Sequence, residues 1–155
     1  MRWKLRAFKA ALHKKKILKL LGSHASAVLA DTRNGRFLVD PEDMGVGRSL
    51  LTNGSYGDGE LERLLPHLTK QSDVLVVGAH VGALVVPLAR ACNTLVAVEA
   101  NPRNFDLLRA NLTLNGSLNV RTIHAAANDT KASLEFLLSR ANSGGSKRMP
   151  VHRDI

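Results

Sequence analysis

Glycines at 78 and 82 and an acid at 99 are the residues of this chain whose types and spacing best suit ligand chemistry. The segment Val77-Gly78-Ala79-His80-Val81-Gly82 leaves an apolar run, and glycine at such a place lets a ligand approach the backbone with no β-carbon in the way. Exposed N–H groups are expected to add polarity there. Glu99 closes the next apolar run about 20 residues after Gly78, where an acid accepts hydrogen bonds from both hydroxyls of a ribose. Together the two features point to a nucleoside-type cofactor. The dinucleotide fingerprint G-x-G-x-x-G is not met: His80 stands at its second glycine, and Ala83 is at best a permitted substitute for the third. That weakens the case for NAD. Without a well-formed pyrophosphate loop a phosphate-free cofactor is preferred, and S-adenosylmethionine, which carries adenosine and no phosphate, is the expectation.

Other reactive residue types are less informative. His80 and His124 are candidate bases by type alone, and histidines at strand ends are more often structural or simply exposed, so no catalytic base is named. His13, His24, His67 and His152 show no ligand spacing, and no metal site is expected. Cys92 is the single cysteine, which excludes an intrachain disulfide and a multi-cysteine metal site, and its apolar surroundings make it a core residue. Asp40, Glu42 and Asp43 flank Pro41 and could serve as paired carboxylates for acid–base chemistry, but beside a proline turn they are read as a solvated loop.

The elements that must position the glycine turn and the acid follow from the apolar pattern. Asp73 to Val77 is continuously apolar after its first residue, which predicts a strand buried on both faces. Ala83 to Cys92 predicts a helix, Thr94 to Glu99 a second buried strand, and the three form a β-α-β unit. Pro102 suits the first turn of a further helix carrying Phe105, Leu107, Leu108 and Leu112 and stopping near Asn115-Gly116. Val120 to Ala127 is a third strand. Upstream, Asn34-Gly35 marks a hairpin with Phe37-Leu38-Val39 as one strand. Residues 54–59 form a flexible connection, and a helical pattern with Leu61, Leu64 and Leu65 runs to Pro66. Lys131 to Arg140 fits strand or helix, with strand favoured; 143–146 is a loop, and 149–155 begins a last short strand.

The 155 residues, 45% hydrophobic and 23% charged, fit one soluble globular domain. Their net charge of +9 sits at one end: Arg2, Lys4, Arg6, Lys9, Lys14, Lys15, Lys16 and Lys19 precede the first acid, Asp31, and leave the remainder at +1. A basic patch built into a nucleic-acid-binding face is therefore not expected. Residues 1–22 read as a basic amphipathic helix, either docked on the fold with a solvated lysine face, which is favoured, or resting on an anionic membrane through residues 1–21. No transmembrane run or signal-peptide core is present, and the expected location is cytoplasmic, membrane-peripheral if the helix binds lipid.

The motifs Gly78-Ala79-His80-Val81-Gly82, Val98-Glu99-Ala100-Asn101-Pro102-Arg103-Asn104-Phe105 and Leu112-Thr113-Leu114-Asn115-Gly116 resemble those of FkbM-type methyltransferases. So do Phe37 to Pro41, Val46 to Leu51, Gly54-Ser55-Tyr56 and Asn142 to Ser146, so that the resemblance runs from about Asp31 to the end. It implies an α/β, Rossmann-like class I methyltransferase sheet over residues 31–155, incomplete, with about three parallel core strands plus an N-terminal hairpin and helices. It also implies S-adenosylmethionine-dependent O-methylation of a small-molecule, sugar or lipid acceptor. The cofactor set the resemblance implies is Gly78, Ala79, His80 and Gly82 near the methionine part, Glu99 on the ribose and Asn128 with Asp129 near the adenine, with Ala100 and Asn101 also cofactor-binding. Val77 stands where that family usually has an acid, His80 where it has asparagine, and Gly57 where it has glutamate. The family continues through about four more strands, so the Asp73 strand is expected at an open sheet edge, covered by a second copy or a missing segment. The expected partners are a small-molecule or saccharide acceptor and no nucleic acid. A nicotinamide-dependent oxidoreductase and a non-catalytic remnant or interaction module are the competing functional classes.

Overall fold

The computed structural model describes residues 12, 16–17, 19–129, 136–137 and 147–148. Of the basic N-terminal segment, Leu12, Lys16, Ile17 and Lys19 to Leu21 are helical, Gly22 follows the helix, and the other residues lie outside the described ones. The chain then forms an antiparallel hairpin of β1 (Val28–Thr32) and β2 (Gly35–Val39), turning through Arg33 and Asn34. Two helices follow, α1 (Val46–Asn53) and α2 (Asp58–Leu64), the second running into a 3-10 turn at Leu65–His67 that contains Pro66. The sequence pattern did not mark α1, whose first turn carries Gly47.

The parallel unit comes next: β3 (Asp73–Val77), α3 (Val85–Ala91), β4 (Thr94–Glu99), α4 (Pro102–Leu114) and β5 (Val120–His124). Helix α3 begins two residues later than expected, so the turn after β3 runs from Gly78 to Leu84. Strand β5 ends at His124, three residues short of the expected Ala127. Strands β6 (Phe136–Leu137) and β7 (Lys147–Arg148) form a separate antiparallel pair. The strand in β6 falls inside the Lys131 to Arg140 expectation, while the 143–146 loop and the 149–155 strand lie outside the described residues.

Helix α4 illustrates how local sequence fixes an element. The Asn101 side chain accepts from the N–H groups of Arg103 and Asn104 at 3.0 and 3.5 Å, and Pro102 occupies the first helical position. At the other end Ser117 N–H donates to Leu112 C=O and Gly116 N–H to Thr113 C=O, the pairing that closes a helix over a left-handed glycine. Asn104, Leu108, Asn111 and Leu112 form the buried stripe between these caps.

Sheet order is β3-β4-β5, and this order decides which face is covered. Parallel crossovers are right-handed, so two successive crossovers in the same direction place α3 and α4 on one face. Leu95, Ala97 and Glu99 point to that side and are buried. On the other face Leu75 is 65% and Val77 57% exposed, and Val96, Val98 and Ile123 are half-buried. The expectation that β3 is buried on both faces is therefore corrected: a run of apolar residues signals what a strand could bury, and the second layer is absent among the described residues. As expected, β3 is an edge strand among the described residues.

The hairpin packs against α4 through two asparagines. Asn111, fully buried, accepts from Leu38 N–H at 2.6 Å and donates to the carbonyls of Leu38 and Val81 at 3.0 and 2.9 Å. Asn115 repeats the pairing with Arg36, at 3.0 Å from its N–H and 2.6 Å to its C=O. Four helical residues advance about 6.0 Å and two strand residues about 6.6 Å, so side chains four apart on a helix can serve residues two apart on a strand. The free edge of β2 is thus saturated by amides of α4. The core beside it is Phe37, Val39, Leu50, Val85, Val86, Leu95, Ala97 and Leu108.

Candidate functional site

All three parallel strands point their carboxyl ends the same way, and the expected cofactor residues gather at that end. The turn after β3 is tied to β4: Gly78 and Ala79 both donate to Val98 C=O at 2.9 Å. His80 N–H donates to Glu99 Oε2 at 2.7 Å, and Gly82 N–H donates to Ala79 C=O at 2.9 Å. These amides are spent within the fold, which corrects the expectation of exposed donors. They offer nothing to a pyrophosphate, and this suits a phosphate-free ligand.

Gly78 has φ +83, and a β-carbon there would meet nothing within 4 Å, so the turn leaves open space where a side chain would stand. Gly82 differs. At φ +91 its β-carbon would come within 2.9 Å of Leu108 Cδ1, so this glycine serves close packing of the turn on α4. Glu99, 8% exposed, is held from both sides, Oε2 by His80 N–H and Oε1 by Asn101 N–H at 2.8 Å. A carboxylate has about four lone-pair sites, so two backbone bonds fix its orientation and leave acceptor capacity on each oxygen. The acid is locked between the glycine turn and the start of α4.

Ala100 and Asn101 follow directly, Ala100 half-buried and Asn101 buried as the cap of α4. Asn128 and Asp129 are exposed on the segment that leaves the carboxyl end of β5. His124 Nε2 donates to Ala100 C=O at 3.2 Å, and its ring stacks on Phe105 with centroids 4.7 Å apart. This accounts for His124 structurally. Cys92 is buried in the core as expected, and burial raises its thiol above the ordinary range.

Sequence reading missed the role of the acids beside Pro41. Asp40 and Asp43 are 5% and 2% exposed, not solvated. Asp40 accepts from Arg103 Nε at 2.6 Å while Arg103 also reaches Ser26 C=O, binding α4 to the end of the hairpin. Asp43 accepts from the N–H groups of Gly45 and Gly47 at 3.0 and 2.8 Å, capping α1 from just outside it. An acid shortly before an apolar helical run was the available signal.

The same Asp43 faces His80, with Oδ2 3.9 Å from Nε2. His80 is 9% exposed and adopts φ +52, a backbone state costly for most side chains but easier for asparagine. Burial lowers its pKa from 6.5, and the charges of Asp43 and Glu99 only partly oppose this. A depressed histidine is neutral in the fold, while the unfolded chain gains a proton as pH drops through 6.5, so folding stability falls on acidification from there towards the lower folded pKa. His80→Asn is expected to flatten that part of the stability–pH curve, each proton accounting for at most about 1.4 kcal/mol per pH unit. Urea unfolding of both proteins between pH 7 and about 5 measures it; identical curves would remove His80 as the source.

No family model matches the chain, and no curated protein matches it. Solved structures do. The chain is similar to TYW2 of M. jannaschii in complex with AdoMet, at TM-score 0.55 and 21% identity over 70% of this chain and 48% of that one. It is also similar to Trm5b of Pyrococcus abyssi, at TM-score 0.53 and 22% identity over 67% and 29%. A third likeness is to aTrm5 in its complex with tRNALeu, at TM-score 0.50 and 22% identity over 66% and 28%. The chain spans less than half the length of each. It shares with these structures a Rossmann-like α/β fold, with a three-stranded parallel sheet among the described residues. The FkbM family itself is not among these likenesses. They also overturn the expectation of no nucleic acid and a small-molecule or saccharide acceptor, because the fold recurs in a protein solved with tRNA bound. No helix of the described residues is long and apolar enough to cross a membrane.

Proposed function

We propose that residues 31–155 are the cofactor-binding half of a methyltransferase that takes S-adenosylmethionine, with residues 1–22 a separate basic segment. The observation that carries this reading is Glu99, a buried carboxylate fixed by the His80 and Asn101 amides with lone pairs left for two ribose hydroxyls. The open space beside Gly78 would take the methionine part, and Ala100, Asn101, Asn128 and Asp129 would border the adenosine. Bound there, S-adenosylmethionine supplies an activated methyl group on a sulfonium. The chain's own residues bind and orient it, and no residue need hold the acceptor's proton for the donor to be positioned.

The likeness to aTrm5, solved in complex with tRNALeu, supports RNA as the acceptor class. A second reading, O-methylation of the FkbM type, is supported by the run from Val98 to Phe105 and the Gly78 to Gly82 turn. Isothermal titration with S-adenosylmethionine and with NAD tests the cofactor. Binding of the first alone is expected, and binding of NAD alone would overturn the reading. Glu99→Ala is expected to weaken S-adenosylmethionine binding by about 1–3 kcal/mol, the usual scale when a buried polar partner is lost. Unchanged affinity in a folded variant would take Glu99 out of the site.

A further inference from the structure

At the opposite, amino-terminal end of the parallel strands lies a cavity of about 440 Å3 lined by Lys70, Arg90, Asn93, Ser117 and Asn119 among others. No acid lines it. Its walls are fixed by hydrogen bonds: the Asn119 amide nitrogen donates to the carbonyls of Ala89 and Asn93 at 2.9 and 3.0 Å, tying the end of α3 to the approach of β5. The two cations are held by neutral partners. Lys70 Nζ donates to Arg90 C=O at 2.8 Å, and Arg90 Nη2 donates to Asn115 Oδ1 at 3.2 Å. Neither has a carboxylate within ion-pair distance among the described residues. The nearby acid Asp73 is engaged, its Oδ1 accepting from Thr94 and Asn93 at 2.7 and 3.1 Å.

We propose that this cavity binds the phosphate of a nucleotide, with Lys70 and Arg90 as the cations that meet it and Ser117 and Asn93 as neutral neighbours. An ammonium has three donors and a guanidinium five, so each cation keeps most of its donors for a ligand while a single neutral bond holds it in place. Because the cations are not neutralised within the fold, an oxyanion gains their charge without breaking an ion pair. The volume exceeds that of a lone phosphate and lies in the range of small-molecule pockets, which leaves room for an attached sugar. The site is at the far end of the strands from Glu99, so it stands or falls independently of S-adenosylmethionine binding. The source is either an RNA backbone or a free nucleotide.

The test uses the full chain and a Lys70→Gln, Arg90→Gln double variant. Both side chains belong to exposed residues, and unfolding temperatures within a few degrees verify the fold. Fluorescence-labelled oligouridylate is titrated at several salt concentrations, with inorganic phosphate and uridine monophosphate as competitors. The double variant is expected to bind the oligonucleotide about tenfold more weakly at 0.1 M salt, with a log–log salt slope reduced by about 1.4 for two lost phosphate contacts on a single strand. Competition by uridine monophosphate in the intact chain, absent in the variant, would assign a free-nucleotide site. Loss of oligonucleotide affinity without competition would assign a backbone site. Equal affinity, slope and competition in the two proteins would overturn the proposal.

Discussion

Asn111→Ala is expected to lower folding stability by about 3 kcal/mol. The side chain is fully buried and serves three backbone groups, Leu38 N–H, Leu38 C=O and Val81 C=O. Truncation removes all three bonds and leaves a void that admits water poorly, and each buried group left unsatisfied costs about 1–3 kcal/mol. In a chain of this size such a loss lowers the melting temperature by roughly 6–12 °C. Asn115→Ala removes the same paired geometry at Arg36, but there water can replace the amide, so about 1 kcal/mol or less is expected. Asn111→Asp separates bonding from packing. It keeps the acceptor for Leu38 N–H yet sets a negative charge against two carbonyls, and should be worse than alanine. Denaturant unfolding of the three variants measures the series, and equal losses for Asn111→Ala and Asn115→Ala would show that burial is not what matters.

Methyl transfer by the 155-residue chain alone is expected to be undetectable, even where S-adenosylmethionine binds. In open α/β sheets ligands sit beyond the carboxyl ends of the strands, in the crevice where strand order reverses. Among the described residues β4 and β5 lie on one side of β3, and its other edge carries no strand. Leu75 and Val77 are exposed on the uncovered face beside it. An acceptor entering from that edge meets no wall, so acceptor atom, methyl carbon and sulfur are not held in line, and alignment of this kind is worth about 7–11 kcal/mol of a barrier. The check is transfer of label from methyl-labelled S-adenosylmethionine to bulk tRNA and to small hydroxyl compounds, with Gly82→Asp as the blank. Label on any acceptor above that blank would show that the three-stranded sheet suffices.

Local patterning in the sequence was enough to place the parallel strands and α4 and to suggest at which end of the sheet a site would lie, but not to mark α1. Hydrophobic runs bounded by Gly78 and Glu99 are local signals, and the caps of α4 at Asn101, Pro102 and Gly116 act within a few residues, so β3, β4 and α4 were legible without a partner in view. What depends on residues far apart in the chain was decided only in three dimensions. Apolarity of Val74 to Val77 was visible, but the absence of a covering layer among the described residues follows from the strand order β3-β4-β5 and the hand of its crossovers. Asp40 and Asp43 looked like a polar loop because their partners, Arg103 and the ring of His80, lie 63 and 37 positions away. Asn111 sat unnoticed in an apolar stripe, since a side chain that pairs a strand edge 73 positions upstream has no signature in its neighbours. Glu99 was found by spacing, yet its fixed orientation comes from amides on two separate segments, because a buried carboxylate takes its geometry from whichever donors the fold brings within reach.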